Sequence, residues 1–164
     1  MTDIQPPAPI VRPAIPGDLP DILRMIVALA RYEREEDKVE ATVETLRATL
    51  FGPQPRVFAH VALLDGAAVG LAVWFFNYST WTGKPGVYLE DLFVDDAARG
   101  AGVGRALFRA LASEVRAAGG ARIDWGVLDW NDPAMAFYRA IGAKHNEGWQ
   151  PWRLEGEALT ALMD

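Results

Sequence analysis

Two carboxylates stand side by side in a stretch that otherwise suits burial. Residues 87–94 read Val-Tyr-Leu-Glu-Asp-Leu-Phe-Val, the composition of an interior strand. Successive strand side chains point to opposite faces, so Glu90 and Asp91 do not share one solvated side. Carboxylates placed there can hold a cation or carry a proton. The plain alternative is an edge strand whose acids are merely solvated. A second feature follows directly: Arg99-Gly100-Ala101-Gly102-Val103-Gly104, between this strand and a helical pattern. Glycines let backbone approach a ligand, and free N–H groups at a helix start attract anions. Three glycines in five residues exceed what a tight turn needs, which favours a phosphate site over a turn alone. A nucleotide P-loop does not fit, because Gly104-Arg105-Ala106 replaces Gly-Lys-Ser/Thr. The dinucleotide pattern G-x-G-x-x-G also fails, since the sixth residue is Arg105 from Gly100 and Leu107 from Gly102. Asp124, about 20 residues past the loop, keeps a dinucleotide site as the weaker reading.

These groups need elements to position them. Ile10 to Ala14 reads as a first strand, and Gly17-Asp18 starts a helix with Pro20 in its first turn and an apolar stripe at Ile22, Met25, Ile26 and Leu29. That helix should fray in the charged run from Arg31 to Lys38. Thr42 caps a short helix from Val43 to Leu50, closed by Gly52-Pro53. Strands over 56–64 and 67–78 meet at Asp65-Gly66, a hairpin signal. After the acidic strand, Val103, Leu107, Leu111 and Val115 give an amphipathic helix over 102–118, ended by Gly119-Gly120. A strand over 121–128 follows, then a helix capped by Asn131 that stops before Gly142, and a last strand over 149–154. Alternating strands and helices imply an α/β fold whose sheet is covered on both faces and at least partly parallel.

Composition narrows the chemistry. The 164 residues are 51% hydrophobic and 23% charged, which suits one domain with a real core. Residues 1–9 read as a proline-rich tail and 10–164 as a single domain. No apolar run of about 18 residues predicts a membrane span, and the N-terminus does not read as a secretory signal. Zero cysteines exclude disulfides, thiolate metal sites and a cysteine nucleophile, and fit a reducing cytoplasm. Two histidines, His60 and His145, leave little for a metal site, and none is predicted. A net charge of −6 argues against nucleic acid and favours small cationic ligands.

The spacing Arg99-x-x-Gly102-x-Gly104 resembles the coenzyme A pyrophosphate loop of the GNAT acetyltransferases. Tyr88 to Val94 before it, Val127 to Ala143 after it and Glu147-Gly148-Trp149 resemble the diamine acetyltransferase branch. The likeness covers about Arg12 to Leu159, and residues 78–81 and 127–131 look closest to the thialysine N-acetyltransferases. Polyamine-acetylating members carry an acid near the position of Ser79, so the likeness points away from spermidine and spermine. The resemblance implies a mixed, mostly antiparallel sheet with helices on both faces, parted between its two central strands. It also implies acetyl-CoA as cosubstrate and a homodimer.

Acetyl transfer from a thioester to an amine sets three demands. The amine must lose its proton, the oxyanion needs a donor, and the departing thiolate is best protonated as it leaves. The resemblance places the general acid at Tyr138, which by residue type alone reads rather as a core tyrosine beside Phe137. It places Glu90 in the cleft, where it can hold the amine and draw off its proton through water. Asp91 then supports the pocket or pairs with an arginine under the sheet. Backbone of Leu92, Phe93 and Val94 faces the pantetheine arm, with the Val94 N–H as oxyanion donor. The loop Arg99, Gly100, Ala101, Gly102, Val103, Gly104 and Arg105 holds the pyrophosphate, and Asn131 and Ala134 lie beside the cofactor, Asn131 also serving as a helix cap. Tyr32, Glu33, Trp81 and Glu147 line the amine pocket with Glu90, since acids and aromatic faces bind cations. Tyr32-Glu33 is otherwise a solvated helix end, and Trp81 a packing or dimer residue. A non-catalytic coenzyme A-binding domain is the remaining alternative.

Overall fold

The computed structural model describes residues 8–163, so most of the proline-rich tail lies outside the described residues. The described chain falls into two compact units that divide after Gly126. The first holds a five-stranded sheet in the order β1-β2-β3-β4-β5, made of Ile10–Pro13, Phe58–Leu64, Ala67–Ser79, Lys84–Val94 and Ile123–Asp124. The first three pairings are antiparallel, and β4–β5 is parallel.

Two helices cover one face. α1, Leu19–Tyr32, and α2, Val43–Phe51, place Leu19, Ile22, Met25 and Leu50 against Ala59, Val61, Leu71, Val73 and Phe93. Leu19, Ile22 and Met25 are fully buried, each contributing roughly 1.5–3 kcal/mol of hydrophobic stabilisation. α3, Val103–Ala117, buries Val103, Leu107, Leu111 and Val115 on the other face. Gly70 makes that approach close enough, because a Cβ there would meet Val103 Cγ1 at 2.6 Å. Asp18, at the expected helix start, ties β1 to α1 through its side chain. Its buried carboxylate accepts from Arg12 Nη1 and Nη2 at 2.6 and 2.9 Å and from the Ile15 N–H at 2.8 Å, and the arginine holds it below the usual carboxylate range.

The second unit carries α4, Asp132–Ala140, and α5, Gly156–Thr160. Two expected strands differ. The one over 121–128 shrinks to Ile123–Asp124, the two residues that pair with β4. No strand forms over 149–154, where Pro151 lacks a backbone donor and Trp152 is 90% exposed.

Three helices end in the same hydrogen-bond pattern with different residues. α3 and α4 place Gly119 and Gly142 in the left-handed position that closes the turn. α1 places Arg34 there, at φ 64°, with Glu35 N–H donating to Ala30 O and Arg34 N–H to Arg31 O. A left-handed non-glycine residue costs about 1–2 kcal/mol, and glycine's extra chain entropy costs about 0.5–1. Arg34→Gly is therefore expected to raise unfolding stability by about 0.5–1 kcal/mol in a urea titration. A loss of stability would show that the arginine side chain outweighs the strain.

Candidate active site

The acidic strand is bent at its carboxylates. Val73 of β3 pairs with Asp91, yet the next residue, Trp74, pairs with Leu89. Glu90 is thus the extra residue of a β-bulge, a device that turns a strand and re-aims its side chains. Asp91 stands opposite Val73, and Phe93 opposite Leu71, so both lie on the face covered by α1. Glu90 is exposed. The pairing of β4 to β5 covers only Val87 and Tyr88 among the described residues, so the two strands part as the bulge begins. Beyond that point run Leu92, Phe93 and Val94. The Phe93 side chain is buried in the core, which leaves its backbone as the group it can offer a ligand.

Asp91 is half-buried, and no arginine pairs with it as the sequence reading allowed. Burial, then the charges of Glu90 and Glu33, push its carboxyl up to about 6. Glu33, the residue that follows α1, is itself raised by burial and by Glu35. The end of α1 and the bulge of β4 thereby set Asp91 in the field of two other predicted carboxylates, with no cation among the influences on it.

Tyr32, the last residue of α1, faces the loop after β4. The Arg99 guanidinium lies 5.7 Å from the centre of its ring and also pairs with Asp96 at 2.9 Å. The loop passes through a short 3₁₀ turn, Asp96–Ala98, before Gly100 and Gly102 take φ of 84° and 79° and α3 begins. These glycines are required by backbone conformation, because a Cβ at either would meet nothing within 4 Å. The open space above them is what a ligand approaching the helix start requires, and no side chain caps α3 there. Val103 can offer a ligand only its backbone, as its side chain is in the core. Ala101 and Gly104 are half-buried and Arg105 is exposed.

Trp81 sits in the turn after β3 at 87% exposure, so packing within the chain does not explain it. Ser79 holds that turn, accepting from the Thr82 N–H at its Oγ and from the Gly83 N–H at its carbonyl. In the second unit Asn131 caps α4, its Oδ1 accepting from the Ala134 N–H at 3.3 Å. Tyr138 is half-buried on α4, with its ring 5.6 Å from that of Phe137. Glu147 is exposed in a turn closed by Gly148 at φ 85°.

Two groups escaped the sequence reading. Arg24 of α1 clamps the start of the glycine loop, donating to both oxygens of Asp95 at 3.0 and 3.2 Å and to Ala68 O at 2.9 Å. Only the fold brings residues 71 positions apart together, so no local pattern signals it. His60 is a buried core residue. Its Nδ1 accepts from Trp74 Nε1 at 3.0 Å, its Nε2 faces Glu114 at 3.4 Å, and burial lowers its basicity.

The dinucleotide alternative fails on this geometry. Asp124, its ribose acid, is held by Arg122 at 2.7 Å and by Asn77 at 2.8 Å, and three of the four strand pairings are antiparallel. A bulged, parting strand followed by a glycine loop at a helix start agrees with the family comparison. The Acetyltransferase (GNAT) family matches residues 22–143, and the chain belongs to that family. It is an N-acetyltransferase, of a family that takes the acetyl group from acetyl-CoA. It is 38% identical to a thialysine N-epsilon-acetyltransferase of Bos taurus, over 93% of this chain and 96% of that one. It is 28% identical to the L-ornithine N5-acetyltransferase NATA1 of Arabidopsis thaliana, over 93% and 86%. A solved integron cassette protein of V. cholerae superposes with a TM-score of 0.79 at 25% identity, over 96% of this chain and 98% of that one.

Proposed function

We propose that the enzyme, acting as one functional domain over residues 10–164, acetylates the primary amine of a small cation, a thialysine-like amino acid or a diamine. The observation that carries this reading is the half-buried Asp91 beside the β-bulge, which feels the charges of Glu90 and Glu33 and no cation. Such a cluster attracts an ammonium ion and lowers the cost of holding it near the bulge. Tyr32 and Trp81 add aromatic faces, and Glu147 adds a further acid. Glu90, exposed at the bulge, takes the amine proton through water, and the neutral amine attacks the thioester carbonyl. The Val94 N–H stabilises the oxyanion, and the Tyr138 phenol protonates the leaving thiolate. Arg99 to Arg105 hold the pyrophosphate, with Asn131 and Ala134 beside the cofactor. The working state is a cytoplasmic homodimer, which light scattering tests. The relatives' names support the substrate class: one acts on thialysine, another on L-ornithine.

A thiol-release assay with acetyl-CoA against lysine, ornithine, thialysine, spermidine, spermine and aminoglycosides tests the reading. Thialysine or a similar short amine is expected to show the highest kcat/KM, and a clear spermine preference would overturn the assignment drawn from Ser79. The loop has its own test. Gly104 lies inside α3, where alanine is the better helix former by about 1 kcal/mol. Gly104→Ala should therefore fold at least as stably but lose the thermal stabilisation that acetyl-CoA gives, because a methyl group blocks backbone approach. Unchanged stabilisation by acetyl-CoA would reduce the loop to a turn.

A further inference from the structure

The bulge at Glu90 also decides where Tyr88 points. On a regular strand, residues 88 and 91 would face opposite ways. Here Asp91 pairs with Val73 and Tyr88 with Phe75, and those partners stand two apart on β3, which carries no extra residue between them. Tyr88 and Asp91 therefore share one face, in rows about 7 Å apart. The Tyr88 ring stacks on Phe75, with centroids 5.1 Å apart and planes at 27°. Both rings are half-buried, and neither is among the residues packed beneath α1 and α2. Tyr88 is also the last residue of β4 paired with β5, opposite Asp124, so it stands where the two strands part.

Its phenol has no use within the fold. Asp124, the neighbour across the pair, spends one oxygen, Oδ2, on Arg122 Nε at 2.7 Å and on Asn77 Nδ2 at 2.8 Å. The Tyr88 hydroxyl makes no hydrogen bond among the described residues, and ring stacking is the contact that holds it. It borders the open side of Gly126, where a Cβ would meet this oxygen at 4.0 Å and, beyond its chain neighbours, nothing closer. The result is a polar atom on a fixed ring, facing open space in the row beside Asp91.

We infer that Tyr88 contacts the acceptor substrate: its phenol oxygen accepts a hydrogen bond from the ammonium group drawn to Asp91, and its ring gives the adjoining carbon chain an apolar wall. The inference rests on the amine pocket proposed above and adds to it a residue of the sheet itself. A phenol suits the place because it accepts from a cation without adding negative charge beside Asp91, which already feels Glu90 and Glu33. Its aromatic face attracts the same cation.

The test uses the full chain as wild type, Tyr88→Phe and Tyr88→Leu, with whichever amine releases thiol from acetyl-CoA fastest. Tyr88→Phe keeps the ring and its stack on Phe75. It is expected to raise KM for the amine roughly tenfold, the scale of one hydrogen bond to a charged group, with kcat close to unchanged. The Kd of coenzyme A by calorimetry and the midpoint of urea unfolding should stay at their wild-type values. Tyr88→Leu, which also removes the ring, should raise KM further. An unchanged KM in Tyr88→Phe would overturn the inference and leave Tyr88 a packing partner of Phe75. A loss of coenzyme A affinity or of stability matching the rise in KM would overturn it too, since the hydroxyl would then serve the cofactor or the fold. A rise in Tyr88→Leu no greater than in Tyr88→Phe would overturn the part given to the ring. A wild type that releases no thiol with any amine would instead defeat the amine pocket itself, a failure seen before any substitution is made, and this contact would fall with it.

Discussion

Tyr138→Phe should lower kcat by roughly 10²-fold or more while leaving acetyl-CoA affinity and folding close to unchanged. The substitution removes one hydroxyl and almost no volume from a half-buried ring on α4. The departing thiolate, with a pKa of about 8.5 by analogy with cysteine, leaves more easily when a phenol gives it a proton. Without that donor, solvent must supply the proton, which it does less effectively than a positioned phenol. The defect should persist in alkali, because raising the pH makes proton donation no easier. Steady-state kinetics from neutral pH to about 10 decide the matter, with calorimetry of coenzyme A binding as the control. Full activity in the variant would remove the general acid and return Tyr138 to a packing partner of Phe137. A loss of coenzyme A affinity equal to the loss of kcat would make it a binding residue.

The parts of this enzyme that follow local rules were readable from the chain. Thr42 announces α2 because a hydroxyl before a helix satisfies an orphan N–H, and the structure has Thr42 Oγ1 accepting from the Thr45 N–H at 3.1 Å. Asp65-Gly66 announces the hairpin because both residues must take positive φ, and they do, at 49° and 80°. Glu90 and Asp91 were conspicuous as charges in an apolar strand. What no pattern disclosed was the bulge between them, since it depends on how Val73 and Trp74 of another strand pair with β4. An unbulged strand would put the two acids on opposite faces, and the extra residue at Glu90 breaks that alternation. The last expected strand had suitable residues, including Trp149 and Trp152, but hydrophobic composition does not supply a partner edge, and both tryptophans stay exposed. Arg24 looked like an ordinary charge on a helix, and its clamp on Asp95 exists only because α1 crosses the end of β4.

Asp91→Asn should stabilise the protein and damage its use of amines together. The Asp91 carboxyl is pushed up to about 6, above its ordinary value of 3.8, by burial first and then by Glu90 and Glu33. Between those values the folded protein holds a proton that the unfolded chain has released. Stability contributed at this position therefore falls as pH rises from 3.8 to about 6, and the whole deficit is present at pH 7. Two pKa units correspond to about 2–3 kcal/mol, which the neutral amide should recover. The gain should shrink as pH is lowered and vanish near the ordinary carboxylate range. Glu90→Gln, at an exposed position, should bring a smaller gain, since it relieves one charge on Asp91 and leaves the burial that dominates. In catalysis the order reverses. A buried negative charge that costs the fold energy is repaid when an ammonium ion arrives, so Asp91→Asn should raise KM for the amine by roughly ten- to a hundredfold. It should also erase the acid-side fall in kcat/KM near pH 6, which reports the free enzyme. Glu90→Gln should keep that acid limb, and its defect should fade as pH approaches the amine's own pKa, where solvent supplies the free base. Urea unfolding between pH 4 and 8, set beside pH profiles of kcat/KM for both variants, separates strain from catalysis. An Asp91→Asn enzyme with neither added stability nor a raised KM would show that this carboxylate is solvated and idle, and the convergence of acids at the bulge would lose its functional meaning.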